Sequence, residues 1–258
     1  MADENPDDIT PVAKMGVNFH NSNYWFLIAT ILFFIIRIAS IPGNILDSTS
    51  INLRTGSFNN FTDRMMSVCY IIALILVMVY FNTESIKINC GNDNVNTYLV
   101  FLSTVFPWLS IFGLLLTFLT VMPGWKSPFS NTFGYIIVVY LMNGQGKLLS
   151  LLNNKNNDTA LKEIIEDNFT NLFNDFGPEN IGKLKRINQL KSQQSEGKGV
   201  FLDYNSSQGV TGKIKKKYNE IARLILIKDY ISETIWYLLT GFLVINITNN
   251  YIMEQGCI

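Results

Sequence analysis

The chain has 258 residues and is 48% hydrophobic, and only 16% of it is charged, against roughly a quarter in soluble domains. Its formal net charge is +0, which argues against a general polyanion binder and implies no specific nucleic-acid partner. One histidine and three cysteines with no Cys-x-x-Cys pair argue against a His/Cys zinc site and leave no cofactor or metal to expect.

The composition predicts an all-α integral membrane protein with about four transmembrane helices. Residues 1–22 read as a polar arm, extended or poorly ordered. The acidic Asp3, Glu4, Asp7 and Asp8 are the opposite of a secretory n-region, and Ala2 stands where myristoylation needs glycine. The membrane region is expected over 23–152. Span one covers about 24–46 and requires Arg37 to snorkel towards one face; its rival is a helix lying on the bilayer. Span two covers 65–81, a run without charge. Span three covers 98–122, about 37 Å long as a helix, with Pro107 marking a kink.

Span three stops at Met122, and two prolines and two glycines follow within Pro123–Tyr135. Pro123, Gly124 and Pro128 break the helix. Trp125, Phe129 and Tyr135 suit the headgroup layer, and Lys126 is the first charge after the span. Together they form a membrane-interface corner. An interfacial helix is expected over 133–152. A soluble helical insert follows over 153–212. Within it, Leu161, Ile165, Phe169, Leu172 and Phe176 recur at helical steps and form a candidate partner-docking stripe. Ile181, Leu184, Ile187 and Leu190 predict a second helix. Residues 213–258 read as one long helix and a tail, with span four at about 230–247. Its basic start, Lys213, Lys215, Lys216 and Lys217, is a candidate site for anionic lipid headgroups.

Residues 126–230 hold 15 Lys and Arg against 10 Asp and Glu. With Arg37, Arg54 and Arg64, this places the first loop and the large basic region on the cytosolic side. Cys90 and Cys257 then share the other side, where a disulfide between them and two free thiols both stay open. Cys69 falls mid-span and reads as a small buried hydrophobe. None of the sequons at Asn60, Asn157, Asn168, Asn205 and Asn246 is expected to carry glycan. His20 reads as a solvated residue of the arm. Asn143–Leu148 fails as a phosphate loop, because Leu148 stands where Ser or Thr would hold the metal, and reads as a helix break. Arg37 and Glu233 are ionisable residues at membrane depth. Pairing or an ion path is conceivable for them, and snorkelling is the simpler account.

The block Met122–Tyr135 resembles one in membrane-embedded minor capsid proteins of nucleocytoplasmic large DNA viruses. The tail Asp229–Gly241, with Asn249-Asn250-Tyr251 and Gly256-Cys257, is similar to the tail of that group. The resemblance covers about half the chain. It implies a non-enzymatic structural protein in a virion internal membrane derived from host endoplasmic reticulum. Its implied partners are the lipid bilayer and major or minor capsid proteins. The contrasting class is a small channel, transporter or lipid-modifying protein, which would need convergent polar side chains at membrane depth. Small residues in the spans leave a homo-oligomer open.

Overall fold

The computed structural model describes residues 11–47, 61–90, 96–151, 170–171, 173–186 and 211–255. Among these every regular element is helical. Helix α1 is Pro11–Ala39, α2 is Phe61–Cys90, α3 is Thr97–Pro107 and α4 is Gly113–Val121. The short α5 is Ser127–Phe129, α6 is Gly144–Leu149 and α7 is Thr211–Gln255. Four stretches are long and apolar enough to cross a bilayer: Ser22–Ala39, Met65–Ile88, Thr97–Val121 and Gly212–Ile252. The all-α, four-span architecture expected from composition is therefore found. The chain is a multi-pass membrane protein by the length and hydropathy of its helices.

Several boundaries differ from the sequence reading. The expected polar arm is helical from Pro11; proline at a first helical position has its φ already set and no N–H to lose. His20 accordingly lies on α1 rather than in a loop. Helix α1 ends at Ala39 instead of reaching residue 46, because Pro42-Gly43 turns the chain. Helix α2 runs on past residue 81 to Cys90, and Glu84 and Lys87 pair with each other at 3.1 Å along the helix.

The described residues form two compact units, each built from distant parts of the chain. The first comprises Met1–Ile35, Met65–Met122 and Thr234–Ile258. Its core is aromatic: Phe26, Trp108, Phe112 and Tyr237 are buried. Ring centroids lie 6.0 Å apart for Phe26–Trp108 and 5.1 Å for Phe112–Tyr237, within the range of favourable edge and tilted contacts. Two polar pairs inside are matched. The Thr30 and Tyr70 hydroxyls are 2.7 Å apart, and Asn82 donates to the Thr104 hydroxyl at 2.8 Å.

Large apolar side chains face outward in this unit, among them Ile35, Ile72, Leu76, Phe106, Leu114 and Leu239. A surface of that kind fits hydrocarbon, not water. Cys69 belongs to it: the cysteine is exposed, correcting its reading as buried, because it falls on the outward face of α2 and not on the Leu74–Met78 face. Pro107 marks the change from α3 to the π-helical turn Trp108–Phe112. The missing N–H and the ring's clash with the preceding turn are absorbed by wider winding.

The second unit comprises Ile36–Arg64 and Pro123–Glu233. Its centre is the first half of α7, which is buried from Ile221 to Tyr230 except at Arg223. A helix apolar nearly all round is a core helix. In the same unit Ile45, Leu46, Val138, Leu148, Leu151 and Phe173 are buried. The turn after α1 is tied down by Asn219, whose Oδ1 accepts from the Leu46 N–H at 2.8 Å while its Nδ2 donates to the Lys215 carbonyl. Asn219→Ala leaves a buried N–H unsatisfied, and the expected cost is about 1–3 kcal/mol. Thermal unfolding of the purified variant in micelles checks this.

Candidate functional site: a charge cluster at the helix corner

The corner after span three is not a plain break. Met122 leaves helical geometry (φ −122°, ψ 74°), and the chain re-enters a helix of mixed winding at once. The order is a 3-10 turn at Pro123–Lys126, then α5, then π turns at Ser130–Gly134 and Ile137–Leu141. This replaces the single helix expected over 133–152. Asn143 then takes a left-handed conformation (φ 53°, ψ 46°) and α6 follows, so the expected helix break lies there. Left-handed geometry suits asparagine among non-glycine residues.

The mixed helix has two faces. Ser130, Gly134 and Val138 are buried, whereas Trp125, Phe133, Ile136, Tyr140 and Leu141 are exposed. Gly134 sits against the α7 backbone: a Cβ there would lie 2.6 Å from the Lys228 carbonyl oxygen. A segment that keeps aromatic and aliphatic side chains outward fits the headgroup boundary. Among the corner residues, Pro123, Gly124 and Pro128 are exposed and Phe129 is half-buried. The half-buried Tyr135 reaches the Thr170 hydroxyl at 2.7 Å.

Beneath this corner four charges meet. Arg37 donates to Glu233 at 2.8 Å, with both side chains less than a tenth exposed. Lys126 pairs with Asp229 at 2.9 Å and stands 3.6 Å from Glu233. The Arg37 guanidinium lies 4.1 Å from the centre of the Tyr230 ring, a cation–π arrangement. Ser232 donates its hydroxyl to the Lys126 carbonyl. Asp229 and Glu233 are one helical turn apart on α7, so they face the same way. Two cations from separate segments meet two anions from one helix, and the charges sum to zero. Arg37 and Glu233 therefore pair rather than snorkel, because each supplies the buried counter-charge that bulk water would otherwise provide.

Burial alone would depress the Lys126 ammonium. The neighbouring Asp229 and Glu233 carboxylates outweigh it and hold Lys126 above the ordinary lysine value. Comparison with protein-family models, curated proteins and solved structures finds no match for this chain.

The other sequence-derived sites fare unevenly. Of the basic run, Lys213 and Lys216 are exposed. Lys215 stands 3.8 Å from Asp47, and Lys217 donates to the Ser150 carbonyl at 2.8 Å. Two of the four lysines thus contact protein while staying part-exposed. On a helix only part of any run can face outward. Of the docking stripe, Leu161, Ile165, Phe169 and Leu172 lie outside the described residues, and Phe176 is half-buried just past the helical residues 173–174. The second helix of the insert is a 3-10 stretch at Ile181–Arg186, with Ile181 and Leu184 buried at the i, i+3 spacing that such a helix aligns. Cys257 lies outside the described residues, as do Asn60, Asn157, Asn168 and Asn205. Among the described residues no group of three or more His, Cys, Asp or Glu is placed to hold a metal ion. Sequence reasoning missed Lys126 and Asp229 as partners. The signal for Asp229 was its i, i+4 spacing from Glu233.

Proposed function

We propose that the protein is a non-enzymatic structural membrane protein of a large DNA virus particle. It anchors the internal membrane to the overlying capsid shell through the basic helical region 126–230. The observation that carries this reading is the closed charge cluster. Arg37, Lys126, Asp229 and Glu233 fasten the corner to the first half of α7 within the second unit. An anchor needs such a rigid base. The exposed apolar face of Trp125, Phe133, Ile136 and Tyr140 supports seating of the corner at the headgroup level. The exposed Lys213 and Lys216 offer contacts towards a coat protein.

An ion path would call for polar groups that do not spend their charge on one another. Here Arg37, Lys126, Asp229 and Glu233 are matched to one another, which favours the anchor over the channel or transporter.

The test is recovery and contact. Purified particles should contain the chain at a fixed ratio to the coat protein, and amine cross-linking should join Lys213 or Lys216 to a coat subunit. Recovery of the chain only in host membranes would overturn the proposal. So would accessibility labels placing residues 90 and 160 in one compartment.

A further inference from the structure

Beside the charge cluster, within the second unit, lies a cavity of about 170 Å³ bordered by Lys126, Ser127, Ser130, Asn131, Glu179 and Lys228. Ligand pockets for cofactors and drug-sized molecules run to about 300–1,000 Å³, so this space suits a headgroup-sized ligand. Lys228 is the key to its chemistry. The side chain is buried at 2% exposure, and among the described residues its ammonium hydrogen-bonds to neutral oxygens. These are the Phe173 carbonyl at 3.2 Å and the side-chain oxygens of Asn174 and Asn131 at 3.3 and 3.4 Å. The Phe173 ring centre is 5.2 Å away. Charge-assisted contacts are normally about 2.7–2.9 Å, the length that Lys126 and Arg37 achieve with their carboxylates. Lys228 thus keeps its amine in the interior on long hydrogen bonds to uncharged groups, with the Asp229, Glu179 and Asp175 carboxylates acting on it only through space, an arrangement that an anionic ligand in direct contact would stabilise.

The remaining lining agrees. Ser127 Oγ already accepts from the Asn131 amide at 3.0 Å, so its hydroxyl hydrogen is available to donate. The two carboxylates on the cavity are weak opponents. Asp229 accepts from Lys126, and Glu179 is exposed to solvent screening.

We propose that this cavity binds a phosphate group, with its oxygens accepting from Lys228 Nζ and from the Ser127 and Ser130 hydroxyls. Basic pockets beside membrane helices hold phospholipid headgroups in this way, and free phosphate offers the same oxygens. The site stands apart from the anchor reading, since neither requires the other.

The full-length protein, purified in micelles, is titrated separately with inorganic phosphate and with phosphatidic acid, and binding is read by native mass spectrometry and calorimetry. One phosphate group per chain is expected, weakened about tenfold or more in Lys228→Met. Glu179→Gln removes an opposing charge at an exposed position and should tighten binding. Lys213→Ala with Lys216→Ala should leave it unchanged. Binding of inorganic phosphate identifies the free ion as sufficient, whereas binding of phosphatidic acid alone identifies a lipid headgroup; either supports the site. Failure of both probes to bind overturns it, as does full affinity in Lys228→Met or a loss that follows Lys213 and Lys216. Should Lys228→Met not fold, Ser127→Ala decides, since Ser127 is exposed and donates directly: weaker binding supports the site, and unchanged binding rejects it.

Discussion

Glu233→Ala is expected to destabilise the protein by about 3–5 kcal/mol, the usual penalty for removing one partner of a buried ion pair. Arg37 loses the carboxylate it meets at 2.8 Å, and Lys126 loses its second carboxylate at 3.6 Å. The cluster would be left with two cations and Asp229 alone. Arg37→Ala should be milder, because Glu233 still has Lys126 within reach. Replacing both ends of the pair, Arg37→Met with Glu233→Met, should recover most of the loss. That double change leaves the Lys126–Asp229 pair intact and neutral, and apolar side chains of similar volume often replace a buried pair without penalty. Thermal unfolding in micelles measures the series. A Glu233→Ala protein as stable as the unmodified chain would mean that the pair is not buried in the folded protein, and the rigid corner would lose its basis.

Gly241→Val should be damaging for a different reason. In the first unit the Phe26 ring lies directly on the α7 backbone at Gly241, so that a Cβ added there would overlap the ring edge. Phe26 is wholly buried and touches both Trp108 and Phe242, so the ring has nowhere to retreat. Overpacking of this kind costs about 1–3 kcal/mol for small additions; a branched valine belongs at or beyond the upper end. Alanine at the same position should fall between. Phe26→Leu made together with Gly241→Val should restore part of the loss by removing the ring edge. Unfolding midpoints of the four proteins settle the matter. Equal midpoints for Gly241→Val and the unmodified chain would contradict the contact.

The spans were legible in the sequence because a bilayer selects for length and hydropathy, which need no knowledge of partners. Helix α7 was legible as one long element for a similar reason: no proline interrupts Thr211–Gln255. What its first half does was not. Lys228 and Asp229 make that stretch look solvated, yet the structure buries both. The partner that neutralises Asp229 is 103 residues away, beyond any local pattern. Arg37 and Glu233 show the same limit, with 196 residues between them. Each could be flagged as costly at membrane depth, but only the fold brings them together. The corner was misread in another way. Proline and glycine rules describe where an α-helix ends. They do not say that the chain will rewind into 3-10 and π turns within a residue.

The order of the four charges along the chain has a consequence for biogenesis. Arg37 and Lys126 are made first, and the carboxylates that match them arrive only with residues 229 and 233. A nascent or truncated chain ending before α7 therefore carries two cations without these counter-ions, a costly state near hydrocarbon. Completion of the last helix is what renders the segment electrically silent.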